Sequence, residues 1–106
     1  MVYLVTESWL SPKAAAEAGN VYLEVIKKYP DDKSIFKPII PNMINTRRDG
    51  LHSIGIYEIK PGKVKEALDI GNNRMLFITS KLDVKYTLRI YYNLIESLSL
   101  IGLETP

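Results

Sequence analysis

The sequence of 106 residues contains no cysteine, which removes disulfides, thiolate nucleophiles, paired-thiol redox chemistry and cysteine-ligated zinc or iron–sulfur sites. Histidine occurs once, at His52, so a histidine-rich metal site is excluded and no metal is expected. Gly50, Gly55 and Gly62 stand where turns and strands use glycine, without the GxGxxG or P-loop spacing that cradles phosphate. Nucleotide ligands are therefore not expected, and no cofactor is implied. Apolar runs are short, none approaching the ~20 residues that span a bilayer, so no membrane partner is expected. Charge of one sign is scarce too. A balance of 14 Lys and Arg against 12 Asp and Glu leaves a net +2, too little to signal a nucleic-acid partner. The opening from Met1 into Val2 to Leu10 has neither the basic start nor the small-residue cleavage site of a secretory leader, and the expected location is cytoplasmic.

What is present is the composition of a globular chain, 46% hydrophobic and 25% charged. Its length suits one domain over 1–106. Val2 to Leu10, rich in β-branched and aromatic residues, reads as a strand that runs into Ser11-Pro12, a helix cap followed by a first-turn proline. From there Ala14, Ala15, Ala18, Val21, Val25 and Ile26 recur at steps of three and four, giving a helix from Pro12 to Tyr29 that Pro30 stops. The small residues come first, which would let the start of this helix approach a sheet closely. Pro38 to Thr46 reads as extended. Its two prolines, Pro38 and Pro41, cannot donate ladder hydrogen bonds and place it at a sheet edge. Asp49-Gly50 signals a hairpin into a third strand, Leu51 to Lys60.

A second helix spans Lys63 to Leu82 with an apolar side formed by Val64, Ala67, Leu68, Gly71, Met75 and Ile78; Ile70, Leu76 and Phe77 widen it towards a second buried surface. Val84 to Tyr92 alternates as a half-buried strand. Asn93 and Glu96 then form a capping-box pattern that opens a short apolar helix ended by Gly102. The order β-α-β-β-α-β predicts an α+β fold, a ferredoxin-like sandwich with a four-stranded antiparallel sheet and two helices on one face. Strand parity makes both faces of that sheet largely apolar: Leu4 and Leu10 lie on one side of the first strand, Val5 and Trp9 on the other. An antiparallel sheet with two apolar faces needs cover on both.

With this element order, the Asp49-Gly50 hairpin and the apolar segment after the fourth strand, the chain resembles the dimeric α/β barrel superfamily. The resemblance covers most of the chain and is one of layout. It implies a homodimer, or a higher oligomer, whose protomers press their sheets together, with a cavity between helices and sheet. It also implies a small-molecule binder or a cofactor-independent enzyme acting on an apolar or aromatic ligand. The RRM type of RNA-binding module has the same order, but Leu51 to Tyr57 lacks the paired aromatics that stack bases. The chain is also similar to the effector-sensing ACT fold, though Ser11-Pro12 does not match the glycine-bearing turn expected there.

The candidate catalytic residues are His52, Tyr57 and Arg89. Histidine is the side-chain type best suited to proton transfer near neutral pH, which makes His52 a candidate; against that, a lone histidine beside a turn is usually a partly exposed surface residue. Arg89 falls on the Lys85, Thr87 and Tyr91 side of its strand, where a guanidinium among apolar residues calls for Glu7, Glu58 or a ligand as partner. Trp9, Tyr91 and Arg74 are the candidate ligand contacts, the aromatics serving equally as packing. Asn72-Asn73-Arg74 reads most simply as an exposed turn of helix, and Arg74 becomes a ligand contact where that turn faces a cavity. Arg47 and Arg48 read as solvated turn charge.

Overall fold

The Ser11 hydroxyl accepts a hydrogen bond from the Ala14 amide at 3.1 Å, and Pro12 occupies the first turn, so the first strand passes directly into a helix. This junction is part of a computed structural model that describes residues 1–103. Its elements are β1 (Val2–Leu10), α1 (Pro12–Lys28), β2 (Phe36–Arg47), β3 (Gly50–Ile59), α2 (Val64–Lys81), β4 (Val84–Tyr92) and α3 (Leu94–Leu100). The strands form one antiparallel sheet in the order β2-β3-β1-β4, as the ferredoxin-like reading requires. Among the described residues, no helix is long and apolar enough to cross a membrane.

β2 lies at the edge, and its register with β3 slips between Pro38 and Ile40 and again between Ile40 and Met43. Both slips fall beside a proline, where the ladder lacks a donor. The hairpin differs from expectation. Arg47 pairs with Gly50, so Arg48-Asp49 and not Asp49-Gly50 forms the turn. No residue other than glycine has a positive φ among those described, which excludes the type I′ turn that Asp-Gly favours. Gly50, at φ 133°, serves close approach instead: a β-carbon there would stand 1.8 Å from the Leu10 carbonyl oxygen. Arg47 meets Asp49 across the turn at 3.6 Å, in keeping with solvated turn charge.

Directly opposed residues share a face. Leu4, Thr6, Ser8 and Leu10 of β1, opposite Tyr57, Gly55, Ser53 and Leu51 of β3, therefore face the helices. Two separate clusters hold the layers together. One gathers Leu4, Phe36, Tyr57, Ile59 and Ala67; the other gathers Ala14, Val21 and Leu82, with Leu10, Phe77 and Ile78 against it. The wider apolar coverage of α2 is used in part: Ile70 packs against the first cluster and Phe77 against the second. Leu76 is 61% exposed, while Phe77 is flanked by the ammonium groups of Lys28 and Lys81 at 5.1 and 5.5 Å from its ring.

Asn93 caps α3 by accepting from the Glu96 amide at 2.8 Å, but the reciprocal half of the capping box is missing because the Glu96 carboxylate sits against the Met1 amino group. Gly102 ends α3 at φ 79°, with the Gly102 and Leu103 amides bonded back to Ser99 and Leu98. Leu94, Ile95, Leu100 and Ile101 are exposed in the single chain.

Candidate functional site

Between the two core clusters the helix-facing side of the sheet carries hydroxyls where aliphatic side chains would fill the space. Thr6 and Ser8 stand between Leu4 and Leu10 on β1, and Ser53 lies opposite Ser8 on β3. Above them α1 presents Ala15, Ala18 and Gly19, and α2 presents Ala67 and Gly71. Small residues from both layers leave a cavity of about 440 Å³, within the usual range for small-molecule sites. The small residues at the start of α1 thus make room, while Ala14 alone is buried tightly against the second cluster. The Ser8 and Ser53 hydroxyl oxygens are 2.6 Å apart and satisfy one another on the cavity floor.

One end of the cavity is polar. Arg74 of α2 is buried, donating from Nε to the Tyr29 carbonyl at 2.9 Å and from Nη2 to Asp31 Oδ1 at 2.8 Å. These bonds tie the loop after α1 to the middle of α2. The exposed-turn reading of Asn72-Asn73-Arg74 therefore holds for the two asparagines and fails for Arg74, which the helical period turns inward. The Arg74 guanidinium lies 5.8 Å from the centre of the Phe36 ring, and that ring meets Tyr57 edge-on at 5.1 Å. The Tyr57 hydroxyl donates to the Pro41 carbonyl at 3.3 Å, a long bond. Burial pushes its pKa up, and the nearby Arg74 charge opposes this without cancelling it. Tyr57 is accordingly a donor throughout the physiological range.

The remaining candidates lie on the opposite side of the sheet. His52 pairs with Trp9 across the β3–β1 ladder, and their rings stack at 5.2 Å and 11°. His52 Nε2 lies 2.9 Å from Glu7 Oε2, both side chains being partly exposed. Glu7 is thus taken by His52. Arg89, expected to need Glu7 or Glu58, is exposed on β4 and has no ion pair among the described residues. Its neighbourhood is wet enough that an unpaired guanidinium costs little there. Tyr91 is 46% exposed on the same outer face. The candidates therefore divide: Tyr57 and Arg74 meet at the cavity, His52 and Trp9 meet on the outer face, and Arg89 and Tyr91 stand apart on β4.

The sequence reading missed Thr6, Ser8 and Ser53 as site residues. Their signal was present, since hydroxyls at positions that parity assigns to the core mark either a paired polar contact or a cavity. Asp31 and the Tyr29 carbonyl carried no comparable signal, because only the packing of α1 on α2 brings them to Arg74.

No family model matches the chain, and no curated protein matches it. Among solved structures it is similar to a conserved protein from Methanosarcina mazei Go1, with a TM-score of 0.55 and 12% identity over 87% of this chain and 91% of that one. A tripeptidase from Staphylococcus aureus subsp. aureus mu50 gives a TM-score of 0.46 at 12% identity, covering 97% of this chain and 36% of the other. The first likeness concerns the fold alone, and the second is too distant to carry an argument. What the chain shares with a solved structure is the α+β layout around a four-stranded antiparallel sheet.

Proposed function

We propose that the chain is a homodimeric small-molecule-binding protein of dimeric α/β barrel type, holding an apolar ligand in the cavity between α1, α2 and the sheet. The cavity itself carries this reading: about 440 Å³ of space with mostly apolar walls and a few convergent polar groups, set between two packed clusters. The cavity opens to solvent beside the exposed residues Tyr22, Asn42 and Ile44, so a small molecule has a way in. Native mass spectrometry of the purified protein tests it. The expected result is a retained small-molecule mass in the parent chain that is absent in Ala18→Leu, where a larger side chain occupies the void. An empty parent chain that also fails to bind apolar probes in titration calorimetry would refute the reading.

Support for the homodimer comes from the outer face of the sheet, where Val5, Trp9, Ile54, Ile56 and Tyr91 share one side without a covering layer. A standard interface removes about 800 Å² per partner. The exposed apolar side chains of α3 add surface that a second copy would shelter. Light scattering after size exclusion should give a dimer mass, and a monomer at micromolar concentration would overturn this part.

A cofactor-independent enzyme is the second reading, favoured by the His52–Glu7 contact on that same face. A carboxylate fixing one imidazole nitrogen leaves the other to move a proton. His52→Gln should then abolish turnover of any substrate found while leaving cavity binding unchanged.

A further inference from the structure

The charge on the cavity wall is of one sign. Among the described residues that border the cavity, Arg74 alone is ionised near neutral pH, and no carboxylate lines it. Its Nε and Nη2 are engaged by Tyr29 and Asp31, but Nη1 has no protein partner among the described residues. Asp31 offsets part of the charge from outside: its side chain is 44% exposed, whereas that of Arg74 is 10% exposed. Water screens the carboxylate more than the guanidinium. Tyr57, in long contact with the Pro41 carbonyl and close enough to Arg74 for their side chains to interact, supplies a second donor at the same end.

The cavity is also elongated along the β1–β3 ladder. From Leu4, opposite Tyr57, to Ser8, opposite Ser53, is four residues, or about 13 Å of strand. Beyond that point lie Leu10, Leu51, Leu82 and Val84, all apolar. Donors thus stand at one end, neutral hydroxyls on the floor, and hydrocarbon at the other end.

We propose that the ligand is an apolar monoanionic acid, its carboxylate received by Arg74 Nη1 and the Tyr57 hydroxyl and its hydrocarbon body laid along Thr6 and Ser8 towards Leu10. This rests on the cavity-binding reading and adds the ligand's class to it. A charge-assisted bond to guanidinium is about twice as strong as a neutral one, and a phenol donor suits a carboxylate oxygen equally well. A neutral lipid-like molecule of the same length would gain the hydrocarbon contacts and lose the head-group bonds.

The test uses decanoate and decanol, which share a body and differ in the head, titrated into the full chain below their aggregation concentrations. Decanoate is expected to bind tighter than decanol by a factor of about 10 or more. Asp31→Asn, which removes the competing carboxylate, should strengthen decanoate several-fold and leave decanol unchanged. Arg74→Gln should bring decanoate down to the decanol value; circular dichroism checks that this variant folds, and the parent-chain comparison stands without it. Equal affinities for the two probes overturn the acid assignment while leaving the cavity reading intact. Binding of neither probe, or binding unaffected by Ala18→Leu, overturns the cavity reading itself.

Discussion

The two faces of the sheet have similar apolar content in the sequence and opposite fates in the structure. On the helix side Leu4 and Ile59 are almost fully buried, and several polar groups among them are paired, Ser8 with Ser53 and Arg74 with Asp31 and Tyr29, while Glu66 Oε2 is buried without a partner among the described residues. On the outer side Trp9 is 37% exposed and leans on His52, whose contact with Glu7 remains within reach of water. Burial, more than residue type, decides what each polar group contributes. A hydrogen bond to a charged group in a dry layer contributes about 1.5–3 kcal/mol, against roughly 0–1 kcal/mol for an ion pair in water.

The largest expected contrast sets Leu4→Ala against Val5→Ala, adjacent residues on opposite faces. Leu4→Ala should lower the unfolding free energy in urea by about 2–5 kcal/mol. Val5→Ala should cost under about 1 kcal/mol in a dilute monomer and should weaken self-association; equal losses in the two variants would erase the distinction between the faces. Next in size, Arg74→Met should lose about 1.5–3 kcal/mol in the same titration, because it leaves the Tyr29 carbonyl and Asp31 without their donor.

A smaller effect follows from the Tyr57 phenol, raised by burial above its ordinary value of 10.0. The unfolded phenol ionises first, so the Tyr57 contribution is complete below about pH 10 and is lost as the pH rises from there towards the folded value. Denaturation midpoints measured across that window should fall for the parent chain and fall less for Tyr57→Phe. Smallest of all, His52→Gln should change stability by less than about 1 kcal/mol, read from thermal melts. A loss of several kcal/mol would show that the outer face is covered more completely than in the single chain.

Much of this division was legible beforehand. Parity sets Tyr57 with Leu51 and Ile59, and His52 on the other side with Ile54 and Ile56, so grouping His52 with Tyr57 as catalytic candidates overlooked a division the strand pattern already carries. The Ser11 cap, the edge position of the proline-bearing strand and the Gly102 stop follow from local chemistry, and all three are present. Arg74 was misread because a helix face is assigned by counting apolar neighbours, and a buried arginine looks polar in that count. Its partners lie more than 40 positions away, beyond the reach of any periodicity. The Asp49-Gly50 turn was misplaced for a related reason: the glycine serves a contact with Leu10, which belongs to another strand.

The paired slips beside Pro38 and Pro41 bear on how this molecule avoids sticking to itself. A border strand that carries two prolines and slips register beside each offers a poorer template for an incoming ribbon, which disfavours fibre-like growth from that side. β4 forms the opposite border without a proline, so strand-to-strand recruitment, if concentrated or partly unfolded protein undergoes it, is favoured at that rim.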